Sequence, residues 1–462
     1  MTPPDRRRRL LILGICSMSL LLVGLDATIV NVALPDIQRS FHSTLSGLQW
    51  TVDAYTLVLA SLLMLAGSTA DRFGRRRVFQ AGLVVFLLGS LLCALAPSLD
   101  LLITSRVVQA IGGAMLSPVA MSIVRNVFED PRERARAIGV FAAMFGISMA
   151  LGPVLGGFLV SAISWRAIFL VALPLGLLAI ALTARFVPES RAPRPRRIDP
   201  VGQVLVTAGL AALTYAIIEG GQVGFHAIRI EILIAAALGC LAALVLYELR
   251  RREPLLEMRF FTNAPFAGAV AIALCLSAAL GGFLFMNTLY LQDVRGLSPL
   301  HAGLAMLPAA TMMTVVAPLS GRLVARLGAR PSMLAGGLVV TASGLMLTGL
   351  ARDTSVPFLL GAYAVFGLGF ALVSPPIANT AVSGMPPAQA GVAAAVATTS
   401  RQVGITLGVA VFGIAALPGW WIVAALGLAV AALAYVTTVR RPAQVSARPP
   451  RAASARPASC GS

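Results

Sequence analysis

The sequence contains no lysine and few charged residues of any kind. All 36 basic residues are arginine, and charged residues make up only 12% of the 462-residue chain, about half the share found in soluble globular domains. Without lysine the chain cannot build a Walker A loop, whose Gly-Lys-Ser/Thr holds nucleotide phosphates, or form a lysine Schiff base. The sequence therefore argues against a protein that hydrolyses ATP to drive its own activity.

Cysteine and histidine are also scarce. The five cysteines are scattered without metal-ligand spacing, and their odd number does not indicate a disulfide framework. The three histidines all lie in or beside predicted loops, where they form neither a metal cluster nor a catalytic pair. We predict no metal, no cofactor and no enzymatic activity, and we keep a membrane-embedded enzyme as an alternative from a different class.

Long apolar runs dominate what the sequence does contain. Hydrophobic residues make up 58% of the chain and the mean hydropathy is +0.87. The runs recur at about 20 residues, the length that crosses about 30 Å of hydrocarbon. We predict an all-α polytopic membrane protein with fourteen transmembrane helices. The predicted spans are 10–34, 47–69, 78–96, 100–124, 135–160, 164–185, 200–219, 229–248, 264–290, 299–321, 331–350, 356–378, 389–416 and 419–439.

The arginines are distributed unevenly between the two sides of these spans. Loops on the side of the termini hold 29 arginines, the other loops hold 5, and Arg106 and Arg401 fall inside spans. This bias follows the positive-inside rule and predicts that both termini are cytoplasmic, in a bacterial cytoplasmic membrane. The net charge of +18 therefore indicates orientation and contact with membrane lipids, and we predict no nucleic-acid partner.

A repeat relates the two ends of the chain. Segment 67–77 follows the second span and segment 321–331 follows the tenth, and each carries two glycines seven residues apart. Asp71 of the first copy is replaced by Ala325 in the second. The offset of eight spans predicts two six-helix halves with two helices inserted between them, an organisation typical of secondary transporters. The predicted domains are a cytoplasmic N-terminus (1–9), an N-terminal bundle (10–185), a linker with two extra helices (186–263), a C-terminal bundle (264–440) and a disordered tail (441–462).

Asp26 is the most unusual charge, because it lies inside the first span. A carboxylate in hydrocarbon costs about 2.5–3.5 kcal/mol on insertion scales and is usually functional. From the helical rise, Asp26, Asp53 and Arg106 share one layer in the outer half of the membrane. We expect Asp26 to be the main proton- or cation-binding carboxylate, modulated by Arg106. A permanent ion pair between helices 1 and 4 stays open, and Asp53 is either part of the coupling or a hydrated cap near the interface.

Four ordered motifs stand out in the sequence: 25–35 in helix 1, the loop 67–77, 106–114 in helix 4, and the glycines of helix 5. They resemble those of the major facilitator superfamily, specifically its fourteen-span drug:proton antiporters of the EmrB/QacA type. The resemblance extends over residues 10–440 or so, and stretch 53–67 looks most like methylenomycin-resistance-type exporters. The chain departs from the family pattern at Ala110, where glycine is usual, and at Ala167.

The resemblance implies proton-coupled efflux of amphiphilic small molecules, that is, antibiotic or multidrug export by alternating access. An exporter of an amino acid or another metabolite stays open as an alternative, and we expect a monomer. Three groups of residues carry these expectations. They are the gating loop (Gly67, Asp71, Arg72, Gly74, Arg75 and Arg76), the antiporter helix (Gly146, Gly152, Pro153, Gly156 and Gly157) and a substrate cavity (Tyr55, Phe145, Asn287, Tyr290 and Arg401). Small residues and a proline suit a bent, closely packed helix, and Arg401 either binds an anionic substrate group or has a structural role.

Overall fold

The computed structural model of the chain describes residues 6–128, 130–192, 198–251, 255–382, 390–415 and 419–438. Within these ranges the protein is helical. The long helices are α1 (Arg6–Phe41), α2 (Leu45–Phe73), α3 (Arg75–Leu95), α4 (Leu99–Val127), α5 (Pro131–Ala162), α6 (Ala167–Leu170 and Ala172–Phe186), α7 (Pro200–Val223), α8 (Ile228–Arg250), α9 (Ala264–Leu289, continued by a π-helical turn over Tyr290–Val294), α10 (Pro299–Ala305 and Leu307–Leu327), α11 (Ala329–Leu347), α12 (Val356–Val382), α13 (Ala390–Ala415) and α14 (Gly419–Thr437).

The predicted all-α membrane fold is confirmed. Each of the fourteen predicted spans corresponds to one of these helices, and thirteen of them are long and apolar enough to cross a membrane within the described residues. The exception is α11. Its first turn is Ala-Arg-Pro-Ser, which lowers the mean hydropathy of this short helix. The predicted tail, 441–462, lies outside the described residues.

The helices pack as two groups with a pair of helices beside them. Helices α1 to α6 form one group, and α9 to α14 form the other, with α9 against α13 and α11 against α14. The inserted helices α7 and α8 pack on each other, and α7 also contacts α2 and α13, one helix from each group. We call the groups the N-terminal half and the C-terminal half.

The two ends of the helices define two faces of the molecule. Helix α1 begins and α14 ends at the face we call the terminal face, where Arg9 of α1 pairs with Glu133 of α5 at 2.5 Å. The other side is called the opposite face. Several hydrogen bonds between described residues join the two halves toward the opposite face. They include Gln49 Nε2 to the carbonyls of Val409 (3.2 Å) and Ala410 (2.8 Å), Thr406 Oγ1 to Thr56 Oγ1 (2.9 Å), Gln292 Nε2 to the Val32 carbonyl (2.8 Å), and Leu300 N to Ser161 Oγ (3.3 Å).

Candidate functional site: a buried carboxylate network

Close packing of α3 against α4 determines where the polar network of the N-terminal half lies. A methyl group added at Gly89 of α3 would overlap the backbone of Gln109, and one added at Gly112 of α4 would overlap the backbone of Phe86. Small residues let helices approach this closely in a membrane. The approach brings Gln109 to Ser90, where Gln109 Nε2 donates to Ser90 Oγ at 2.8 Å.

Asp26 and Arg106 form a buried ion pair at the centre of this network. Arg106 Nη1 donates to Asp26 Oδ2 at 2.6 Å, and the two side chains are 1% and 5% exposed. Gln109 joins them, since its Nε2 donates to Asp26 Oδ1 at 2.8 Å and its Oε1 accepts from Arg106 Nη1 at 2.6 Å. Charge-assisted bonds of this length are the strong ones. The structure thus brings together the two charges that the sequence placed at one depth.

The remaining surface of Arg106 is also covered. Its Nε donates to the Thr51 carbonyl at 3.2 Å, and its guanidinium carbon lies 4.2 Å from the ring centroid of Tyr55 and 5.9 Å from that of Phe169. A cation above an aromatic face is attracted by the ring quadrupole. The arginine therefore has carboxylate, amide, carbonyl and aromatic partners at once, and a proton on Asp26 would remove the strongest of them.

Asp53 is wholly buried, which argues against the hydrated cap, one of the two alternatives left open by the sequence. The residue has 0% exposure. Its Oδ1 accepts from Thr56 Oγ1 at 3.3 Å, whereas its Oδ2 has no hydrogen-bond partner in the described part of the chain. The residue is covered because α13 and α7 pack against α2 beside Thr56 and Leu57.

Helix α5 lies between the two halves and packs closely on both. A methyl group at Gly152 would overlap Thr28 Oγ1 of α1, and one at Gly156 would come within 2.7 Å of Ile29 Cγ1. On its other side, a methyl group at Gly157 would overlap the Pro299 carbonyl of α10. Gly146 lies deeper in the molecule, and an added methyl there would be 3.1 Å from Thr314 Oγ1 of α10. The predicted antiporter helix is thus a close-contact helix along the seam between the halves.

The turn between α2 and α3 carries the predicted gating loop. Gly74 has φ +117° and its N–H donates to the Ala70 carbonyl at 3.0 Å, so the turn needs a residue that tolerates positive φ. The second copy of the repeat makes the same turn, because Gly328 has φ +84° and donates to the Val324 carbonyl at 2.9 Å. The repeat found in the sequence therefore corresponds to a shared backbone turn.

The charges of this loop form a compact cluster that includes a residue missed by the sequence reasoning. Arg75 donates to Asp71 Oδ1 through Nε (3.0 Å) and Nη2 (2.8 Å). Glu189, from the segment after α6, accepts from the backbone N–H groups of Arg76 (3.1 Å) and Arg77 (3.3 Å). Glu189 therefore caps the N-terminus of α3, where negative charge is favoured, and Asp71 pairs with a side chain instead. Gly67 and Arg72 lie on α2 just before the turn.

The described residues expected to line a substrate cavity are largely buried in the packing between helices. Tyr55 and Asn287 have 0% exposure, and Tyr290 is buried with its hydroxyl donating to the Ala351 carbonyl at 2.8 Å. The side chain of Phe145 lies outside the described residues, and Arg401 is half-buried on α13. Position along a helix did not show which face of that helix packs against neighbours, and that face is where Tyr55 and Asn287 lie.

An apolar cavity of about 340 Å³, widely open to its surroundings, lies elsewhere, between α1 and α5 in the half of the molecule toward the terminal face. Leu13, Ser17 and Met18 of α1 line one side, and Val140 and Met144 of α5 line the other. Its volume is in the range of small-molecule sites, which are concave and mostly apolar. None of the predicted cavity residues contributes to its described lining.

Two helical halves, a shared turn and a buried ion pair inside the membrane-spanning region define a polytopic membrane transporter. The sequence matches the Major Facilitator Superfamily over residues 16–409, so the chain belongs to that family. It is 40% identical over 415 residues to the multidrug resistance protein Stp of Mycobacterium tuberculosis (strain CDC 1551 / Oshkosh), covering 90% of this chain and 77% of that protein.

Two relatives from Streptomyces carry names that refer to single antibiotics. The methylenomycin A resistance protein of Streptomyces coelicolor is 37% identical over 437 residues, covering 92% of this chain and 90% of that protein. The tetracenomycin C resistance and export protein of Streptomyces glaucescens is 35% identical over 400 residues, covering 86% and 74%. The family predicted from the sequence motifs is confirmed.

Proposed function

We propose that this protein exports amphiphilic drugs or antibiotics across the bacterial cytoplasmic membrane in exchange for protons. The observation that carries the proposal is the buried pair of Asp26 and Arg106, at 2.6 Å. A carboxylate inside a membrane domain usually marks a functional site. Here the carboxylate of Asp26 is held by one cation, Arg106, and protonation of Asp26 would break this ion pair. The names of the relatives, which refer to multidrug resistance, methylenomycin A and tetracenomycin C, support a drug as the cargo.

The hydrogen bonds between the halves support alternating access. With the terminal face on the cytoplasmic side, as the arginine distribution predicts, the hydrogen-bonded seam lies on the outer side and the apolar cavity lies on the inner side. This arrangement corresponds to an inward-facing carrier whose outer side is closed. An amphiphilic drug from the cytoplasm or the inner leaflet would reach the cavity between α1 and α5 in this state.

The Asp26–Arg106 pair supplies a reason for the exchange. An ionised Asp26 neutralises Arg106, and a protonated Asp26 leaves the guanidinium with only neutral acceptors, Gln109 Oε1 and the Thr51 carbonyl. Protonation therefore changes the free energy of the packing of α1 against α4. Because α1 also packs on the seam helix α5 through Thr28 and Ile29, this change is placed to bias the two-state movement of the halves.

The gating loop acts in the same proposal as a latch on the cytoplasmic side. Its charges bond within the N-terminal half in this structure, through Asp71–Arg75 and through Glu189. We propose that the latch engages the C-terminal half when the inner side closes. Membrane lipids and protons are the further partners we propose, and we propose that a monomer is sufficient, since both halves belong to one chain.

Export of an amino acid or another metabolite is the second candidate. The apolar lining of the cavity disfavours it, because a zwitterionic cargo would need fixed polar partners there. A membrane-embedded enzyme has no support from the family.

A fluorescent-dye assay tests the proposal. Cells of a pump-deficient host that express the protein should accumulate less of a cationic dye than cells with an empty vector, and a protonophore should abolish the difference. Everted vesicles should show dye-dependent release of protons from an imposed pH gradient. Dye export that persists after the proton gradient is collapsed would show that protons do not drive it, and a panel of antibiotics tested in the same cells would identify the cargo class.

A further inference from the structure

Asp53 is a buried carboxyl group that the exchange pair does not use. It has 0% exposure, one hydrogen bond from Thr56, and an Oδ2 without a partner among the described residues. Asp53 forms no ion pair with any residue in the described part of the chain. An isolated carboxylate without a cation is so costly in an apolar interior that the group neutralises instead. Asp53 thus lacks a cation that would hold it in the ionised form, whereas Asp26 has Arg106 at 2.6 Å.

A chain of hydroxyl groups leads from Asp53 across the seam to the C-terminal half. Thr56 Oγ1 lies 3.3 Å from Asp53 Oδ1, and Thr406 Oγ1 of α13 lies 2.9 Å from Thr56 Oγ1. Thr406 Oγ1 is also 3.2 Å from the Gln402 carbonyl. The chain thus runs from a carboxyl group on α2 to the backbone of α13 and is one of the few hydrogen-bonded contacts between the halves.

The direction of this chain depends on the proton at Asp53. Each threonine hydroxyl has one proton to donate. If Asp53 is ionised, Thr56 donates to Oδ1 and Thr406 donates to Thr56, and the unpaired, dry Oδ2 carries negative charge. If Asp53 is neutral with its proton on Oδ1, the hydroxyl hydrogens rotate the other way: Asp53 donates to Thr56, Thr56 to Thr406, and Thr406 to the Gln402 carbonyl. Every donor is then satisfied, and the unpaired Oδ2 is an uncharged carbonyl oxygen. The closed seam therefore favours the protonated form.

The chain is closed to water on the side that faces α7. The gap beside Thr406 lies between α2, α7 and α13, with Leu57, Leu210 and Thr214 in its wall, and it is too narrow to hold a water molecule. No hydrogen bond between described residues connects Asp53 with the network of Asp26. Separation of α2 from α13 at the opposite face would open this gap and expose the proton on Asp53.

The charged groups on the helices around α2 do not neutralise Asp53 in place of a proton. Asp26 of α1 and Arg106 of α4 are bound to each other. Arg401 of α13 has an interaction of its own and precedes the threonine of the chain by more than one turn. Glu219 lies near the end of α7, and the charges of α3, Arg75–Arg77, lie in its first turn at the terminal face.

We propose that Asp53 is a second proton-binding site, which binds a proton to close the seam between α2 and α13 and returns it to the same side when the seam opens. This site locks the outer side in a pH-dependent way and does not carry the proton across the membrane. The inference rests on the proposed alternating-access cycle, and it adds a regulatory proton to the one exchanged at Asp26.

Infrared spectroscopy of the purified protein tests the protonation state directly. At neutral pH the wild-type protein should show the C=O stretch of a neutral carboxylic acid. Asp53→Asn should weaken this band, whereas Asp26→Asn should leave its intensity unchanged. Thr56→Val should shift the band to higher wavenumber, because the acid loses the acceptor of its O–H, and Ser61→Ala on the same helix is the control that should not shift it. A band of full intensity in Asp53→Asn would overturn the assignment.

The lock itself is tested by a distance across the opposite face. Spin labels at His42→Cys and Asp353→Cys, in a chain without its native cysteines, should move apart as the pH is raised from acidic to alkaline. Asp53→Asn keeps a neutral hydrogen-bonding group and should hold the short distance at every pH. If Asp53→Asn opens with pH as the wild type does, the lock is wrong even when the band is weakened. Neither readout needs transport, so failure of proton-driven export in vesicles would refute the proposed function separately.

Discussion

Replacing Asp26 by Asn separates a coupling carboxylate from a permanent structural ion pair. Removing one member of a buried pair costs about 3–5 kcal/mol, because it leaves an uncompensated buried charge. Here Arg106 keeps Gln109 Oε1 at 2.6 Å and the Thr51 carbonyl at 3.2 Å. We therefore expect Asp26→Asn to lower the free energy of unfolding by about 3 kcal/mol, the lower end of that range.

The double variant Asp26→Asn/Arg106→Gln decides between the two roles. Replacing both members of a buried pair by neutral groups is often close to neutral for stability, so the double variant should regain most of the loss. If the pair only joins α1 to α4, transport should return together with stability. If Asp26 carries the exchanged proton, stability should return and proton-driven export should not.

Two measurements on one set of proteins provide the answer. Unfolding of the purified proteins in mixed detergent gives the free energies, and dye-dependent proton release in everted vesicles gives the coupled transport. Asp36→Asn is the matched control on the same helix, because Asp36 pairs with Arg39, a side chain that is 70% exposed. Such surface pairs contribute about 0–1 kcal/mol, so both measurements should be nearly unchanged. Proton-driven export by the double variant would refute Asp26 as the coupling residue.

Three further substitutions test the latch, the seam helix and the outer contact. Glu189→Gln removes the charged cap of α3. It should lower the free energy of unfolding by about 0.5–2 kcal/mol and slow dye export in vesicles. Unchanged export would show that the cap has no part in a latch. In Gly152→Ala on α5 the added methyl group would overlap α1, so the protein should lose about 1–3 kcal/mol of stability. Gly139→Ala is the control, because its methyl group meets nothing within 4 Å, and it should not lower the stability. Equal losses in the two variants would contradict the close approach of α5 to α1. Gln49→Leu removes two hydrogen bonds to α13 and should lengthen the spin-label distance at the opposite face, and an unchanged distance would argue against its role in closing that face.

Hydrophobic run length was enough to predict the helices of this chain, because crossing the membrane imposes a length on each of them. The ends were harder to predict. The first span was expected to end at Leu34, but α1 continues through Pro35 to Phe41. The apolar run ends at Leu34, but the helix continues because the backbone still satisfies its hydrogen bonds in this way. Length thus predicts that a helix exists and predicts its boundary less well.

The polar residues were predictable only where one residue was unusual by itself. Asp26 and Arg106 stand out as charges inside apolar runs, and they do form a pair. Glu189 lies in a charged linker, where a single acid carries no signal. A partial signal was nevertheless present in α3, which begins after Gly74 with three arginines and has no N-cap side chain of its own. Free N–H groups at such a helix start require an acceptor from elsewhere in the chain.

The comparison of the two halves indicates where the coupling lies. Both halves make the same turn, at Gly74 and at Gly328, so the duplicated backbone does not distinguish them. The side chains distinguish the two halves. The turn of the N-terminal half has Asp71 and the cap from Glu189, whereas the turn of the C-terminal half has Ala325 in place of the acid. The buried ion pair belongs to the N-terminal half as well. The C-terminal half contributes hydroxyl groups and backbone carbonyls to the seam, such as those of Thr406 and Val409. We infer that the N-terminal half binds the protons and that the C-terminal half provides the surface against which their binding is converted into movement.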